Sequence, residues 1–198
     1  ERMVGAALGA KRKGIFLSTK CDAKTGAGIL AELDTSLKEL STDYLDVWYL
    51  HGLSDPAQIS DELVEAQRRA RQQGKVRFFG VTTHTNQAEV INAVVDDPDK
   101  FFDMVLAGYS FKSPPELKQA IARAAKANVG IVAMKTQAGG YKTEALGPVS
   151  PHQAALKWVL QDTNVTAAIP GMRDMAELKE DIAVMGMNTA MGMPMAEP

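Results

Sequence analysis

The feature that most constrains this chain is the recurrence of short apolar runs, spaced so that one helix fits between each pair. Runs rich in β-branched or aromatic residues occur at 15–19, 47–50, 76–81, 104–107, 130–134 and 166–169, each bounded by turn or polar residues. Such runs are the mark of buried strands. Their starts lie about 26 to 36 residues apart, too far for hairpins and long enough for a crossover helix. Strands joined in that way are parallel, with helices outside the sheet.

The segments between the runs carry helical periodicity. Ile29, Leu33, Leu37 and Leu40 fall on one face, with Glu32, Asp34, Lys38 and Glu39 elsewhere on the turn, which predicts an amphipathic helix. Further boundaries stand at Gly74 after ELVEAQRRARQQ, at Pro114-Pro115 before ELKQAIARAAKA, and at Ser150-Pro151 before HQAALKWVLQD, following the preference for Pro at helix starts and Gly past helix ends. Residues 137–149 form the longest irregular stretch and follow a strand; they are expected to be either a functional loop or a connector.

At 198 residues and 45% hydrophobic content, the chain is long enough for one domain with a sizeable core. Its 22 Lys plus Arg against 24 Asp plus Glu, without long charge runs, argue against a nucleic-acid surface. No apolar window reaches the length of a membrane span. A single cysteine, Cys21, has no internal disulfide partner and fits a reducing cytoplasm. One Cys and three scattered His argue against a zinc site, and no metal is expected. The chain has no P-loop, HExxH, CxxC, GxSxG or GxGxxG.

Five motifs then converge: FLSTK at 16–20, LDTSLKELSTDYLDVWYLHG at 33–52, KVRFFGVTTH at 75–84, GIVAMKT at 130–136 and AAIPGMRDMAELKED at 167–181. In this order, over nearly the whole chain, they resemble the aldo/keto reductase family, in particular its bacterial branch. The resemblance implies a (β/α)8 TIM barrel of which about six units, strands 3 to 8, are present. Residues 1–184 are then a partial barrel, and 185–198 a Met-rich C-terminal tail. It also implies an NAD(P)H-dependent oxidoreductase that reduces a small-molecule aldehyde or ketone to an alcohol by hydride transfer.

In that family a Tyr hydroxyl, tuned by Lys and assisted by His and Asp, protonates the carbonyl oxygen. Lys20 and His51 match two of these four catalytic positions. An ammonium stabilises a phenolate, and an imidazole hydrogen-bonds a carbonyl oxygen, so the residue types suit the chemistry. For cofactor binding the resemblance points to Thr82 and Thr83 at the nicotinamide carboxamide and to Met134 where an aromatic ring commonly stacks, with Lys135 next. It points to Gly171, Arg173 and Asp181 at the adenosine end, Arg173 being the natural partner of a 2′-phosphate. NADPH is expected, with NADH as the alternative, because Gly171 and Glu177 stand where many NADPH-specific members carry Lys and Arg.

The family's catalytic Asp and Tyr have no counterpart. Tyr44, Tyr49, Tyr109 and Tyr141 are present, none at the acid position, and Tyr109 is expected in the core or at the rim. A chain beginning without Met is therefore expected to be part of a larger barrel, or to be completed by a partner chain or a homo-oligomer. The alternative is a non-catalytic nicotinamide-binding module or subunit. Met185, Met187, Met191, Met193 and Met195 suggest a partner-covering apolar tail or, as a further reading, a Cu(I) site.

Overall fold

The computed structural model describes residues 1–138 and 149–186. Among these, helix α1 (Arg2–Leu8) and a 3-10 turn lead into β1 (Ser18–Cys21), α2 (Gly26–Glu39), β2 (Leu45–Leu53), α3 (Asp61–Gln72) and β3 (Val76–Thr83). There follow α4 (Gln87–Asp96), β4 (Met104–Gly108), α5 (Pro115–Lys126), β5 (Gly130–Met134), α6 (Pro151–Gln161), β6 (Ala167–Ile169) and α7 (Met175–Ala183). The strands form one parallel sheet in sequence order, β1 to β6. Crossovers of one hand in an unreversed order keep the helices on one face, and the sheet curls into part of a (β/α)8 barrel.

Alternation along each strand sorts the side chains. Ile29, Leu33, Trp48, Phe79, Ile91, Val105, Ile121 and Ile131 build the large core between sheet and helices. Val47, Tyr49 and Leu106 form a smaller cluster on the inner face, flanked by Phe78, Met104, Val132 and Met134. Two boundaries sit where the sequence puts them: Gly74 ends its helix at φ +72°, and Ser150 opens α6 with a reciprocal capping box to Gln153; the structure adds Ser60, which accepts from Leu63 N–H.

One expectation changes, and the core alternative holds for Tyr109. The first strand is Ser18–Cys21 rather than 15–19. The Ile15 carbonyl accepts from Arg12 Nη1 at 2.8 Å, and Ile15 and Phe16 are 39% and 59% exposed. Pairing to β2 begins only at the Leu17 carbonyl, which accepts from Asp46 and Val47 N–H. Tyr109 takes the core role: it is buried, its hydroxyl donates to Asp162 at 2.7 Å, and its ring packs on Trp158. Of the 137–149 stretch, 139–148 lie outside the described residues, as does the Met-rich tail from Met187 onward. No helix among the described residues is long and apolar enough to cross a membrane.

At the N-terminal end of the strands, Asp46 ties β1, β2 and β3 together. Its side chain is 3% exposed and accepts from Leu17 N–H at 2.8 Å, Arg12 Nη1 at 3.0 Å and Arg77 Nη1 at 2.7 Å. Burial alone would raise the Asp46 pKa, but the Leu17 amide and the Arg77 and Arg12 guanidiniums outweigh it and hold the carboxyl below its ordinary value. Removing one partner of a buried pair leaves an uncompensated charge, so Asp46→Ala is expected to cost about 3–5 kcal/mol in denaturant unfolding. Because the folded pKa is the lower one, the stabilisation is present above the unfolded carboxylate value of about 4. It fades as pH falls through the folded value. An acid titration of stability that Asp46→Asn leaves unchanged would refute this.

Candidate functional site

The C-terminal strand ends collect the chemistry-bearing residues. Lys20, Tyr49, Gly80, Met104 and Gly130 are register partners across β1 to β5, so they form one row on the inner face. The Tyr49 ring lies over Gly80, where a Cβ would stand 2.5 Å from Tyr49 Cε1, and the Tyr49 hydroxyl meets Met104 Sδ at 3.0 Å. Burial pushes its pKa up to about 12. Tyr49 thus fills the barrel interior beneath the strand ends.

One step higher, β2 is irregular. Leu50 pairs with Val81 and Leu53 with Thr83, so β2 carries one extra residue against β3, a β-bulge. Gly52 takes φ +67°, a conformation that suits glycine, and its N–H donates to Thr82 Oγ1 at 2.8 Å. The bulge presents His51 at the mouth, where its Nδ1 lies 2.6 Å from Asp22 Oδ1. An ionised carboxylate only accepts, so Nδ1 is the donor and Nε2 is left for the pocket. The loop carrying Asp22 is itself held by α2, whose Glu32 carboxylate accepts from the Asp22 and Ala23 N–H groups at 2.7 and 3.1 Å.

His84, after β3, lies edge-on to His51 with ring centroids 6.4 Å apart. Desolvation, with the charges of Lys135, His51 and Lys20, pushes the His84 pKa down, so Lys20, His51, His84 and Lys135 share one electrostatic environment. Lys135 is exposed and left-handed, at φ +54°, while Met134 belongs to the inner cluster.

The two threonines do not stand as a pair. Thr82 pairs with Leu106 of the inner cluster and Thr83 with Ala107 of the outer core, so they point to opposite faces. Both are buried; Thr82 Oγ1 accepts from Gly52, and Thr83 Oγ1 donates to the Thr85 carbonyl at 2.8 Å. At the far edge of the sheet, space is open around Gly171. Arg173 is exposed but already paired: Nε and Nη2 donate to Glu177 Oε1 at 2.9 and 2.6 Å, and its backbone N–H donates to Oε2 at 2.6 Å. Asp181 is buried. Its Oδ1 accepts from Gln137 at 3.0 Å, Oδ2 has no partner among the described residues, and burial together with Glu180 pushes its pKa up.

Asp22 and Gly52 are absent from the sequence-derived site. Asp22 was within reach, since strand alternation puts residues 20 and 22 on one face; the bulge at Gly52 carries no such period.

A parallel β/α half-barrel with its polar residues at the C-terminal strand ends defines a TIM-type scaffold, in which active sites sit at that face. The aldo/keto reductase family pattern matches residues 1–146, and the chain belongs to that family. It is 25% identical to L-galactose dehydrogenase of Arabidopsis thaliana over 98% of this chain and 72% of that protein. Over shorter stretches it is 37% identical to the methylglyoxal reductase YeaE of Escherichia coli, covering 41% of this chain and 29% of that protein. The fold resembles the holo form of aldo-keto reductase AKR11C1 from Bacillus halodurans, with a TM-score of 0.81 at 22% identity, over 94% of this chain and 72% of that one.

Since Asp22 is 76% exposed and His51 34%, Asp22→Asn is expected to change stability by less than about 1 kcal/mol. It should nevertheless release the imidazole. Nitrogen-15 NMR of the three histidines checks this: the His51 Nδ1–H form should dominate in the wild type and mix with the Nε2–H form in the variant. An unchanged tautomer would refute the positioning role.

Proposed function

We propose that this protein reduces the carbonyl group of a small aldehyde or ketone to an alcohol, with a reduced nicotinamide dinucleotide as hydride source. The observation that carries the reading is the His51–Asp22 contact beside Lys20, on adjacent strands at their C-terminal ends. Two groups fit a bound polar ligand: Asp181 Oδ2 and Thr136 Oγ1 are both buried without a partner among the described residues, and such groups call for explanation.

When bound, the nicotinamide supplies a hydride to the carbonyl carbon. His51 is oriented by Asp22, and in its doubly protonated form Nε2 donates to the carbonyl oxygen as negative charge builds there. Lys20 adds positive charge to the same mouth, favouring an oxyanion or a phenolate. Thr82 keeps a hydroxyl hydrogen for the carboxamide, and Thr83 steadies the turn behind it. Met134 offers apolar surface to the nicotinamide ring, with Lys135 at its rim. Gly171, Arg173 and Asp181 serve the adenosine end. The buried thiol of Cys21, raised to about 12 by burial and the nearby Glu32 and Asp22 carboxylates, stays inert and suits a cytoplasmic setting.

A second reading, a nicotinamide-binding subunit without turnover, is favoured by the described tyrosines. The Tyr49 and Tyr109 hydroxyls are engaged inside the fold, and Tyr44 lies under Arg12 at the opposite end of β2.

Aldehyde reduction followed by dinucleotide absorbance separates the two. Lys20→Met and His51→Ala are each expected to lower kcat about 10²–10⁴-fold while dinucleotide binding persists. Full activity in both variants would overturn the first reading, and binding without turnover in the wild type would favour the second.

A further inference from the structure

The adenosine end of the proposed site carries donors of the kind a 2′-phosphate needs, yet among the described residues carboxylates of the same segment already hold them. Glu177 takes Arg173 Nε, Nη2 and N–H, which includes the fork that would grip a phosphate. Two N–H groups at the start of α7 are taken as well: Asp174 Oδ1 accepts from Ala176 and Glu177 N–H, both at 2.9 Å. Within 173–181 the acids are Asp174, Glu177, Glu180 and Asp181, against Arg173 and Lys179. The Glu177 pKa is held down by its bonds from Arg173, and that of Arg173 is pushed up in return.

A dianionic phosphate entering here must displace Glu177 from Arg173 and then lie beside it. A ribose diol needs neither step, because its hydroxyls donate to a carboxylate. An acidic residue accepting from the ribose 2′-hydroxyl is also how dinucleotide folds of another architecture select the cofactor without phosphate. We infer that Glu177 makes this site select NADH over NADPH. Arg173 then acts as the clamp that orients the Glu177 carboxylate toward the ribose, rather than as a phosphate ligand.

The inference rests on the nicotinamide-dependent reading above. Fluorescence titration of the protein with NADH and with NADPH, at one ionic strength, tests both and needs no turnover. The wild type is expected to bind NADH about tenfold or more tightly than NADPH, and Glu177→Gln to remove most of that difference, chiefly by tightening NADPH. Competition by 2′,5′-ADP, weak against the wild type and stronger against the variant, would locate the effect at the adenosine end. NADPH bound as tightly as NADH by the wild type would overturn the preference while leaving the nicotinamide reading intact. The same preference persisting in Glu177→Gln would overturn the assignment to Glu177. Binding of neither dinucleotide would overturn the reading and the inference together.

Discussion

Everything at the candidate site inherits its position from a carboxylate at the opposite end of the strands. Asp46 accepts from a backbone amide at the entry to β1, from Arg12 ahead of that strand and from Arg77 on β3. Parallel strands have no tight turn to set their register, so a shared buried anchor is a direct way to fix three of them. With Leu17 held there, Ser18 meets Val47 and Lys20 meets Tyr49, and a slip of one residue would turn Lys20 away from the inner face. Arg12 is fully engaged in the same knot: it donates to Thr42, Ile15 and Tyr44 as well as to Asp46 and stacks on the Tyr44 ring.

The sheet was legible in the sequence because burial on both faces leaves continuous apolar runs, and five of the six runs coincide with observed strands. The first was displaced because Ile15 and Phe16 look like strand residues, while the Ile15 backbone is taken by Arg12 and both side chains stay exposed. No local pattern reveals a guanidinium three residues back that binds a carbonyl. Helix boundaries were readable where Ser, Pro and Gly have one physical role, as at Ser150, Pro115 and Gly74.

The site was legible in residue type more than in arrangement. Lys20 and His51 come to adjacent strand ends, as their motifs implied. The threonines show the limit: neighbours in a strand point to opposite faces, so Thr82 and Thr83 cannot offer both hydroxyls to one ligand group while the strand stays regular. Arg173 shows another, since its charge alone does not tell that the Glu177 carboxylate four residues on pairs with it. Intrasegment pairing of this kind depends on the turn geometry at the start of α7, where Asp174 sets the first N–H groups.

The absence of a side chain at Gly80 lets the Tyr49 ring rest against β3. A Cβ there would stand 2.5 Å from Tyr49 Cε1, so the ring occupies the inner face one layer below His51. Two residues of strand rise separate the layers, roughly 7 Å. A side chain at Gly80 would push that ring off the strand, so the layer beneath His51 depends on a residue that contributes no side-chain atoms of its own.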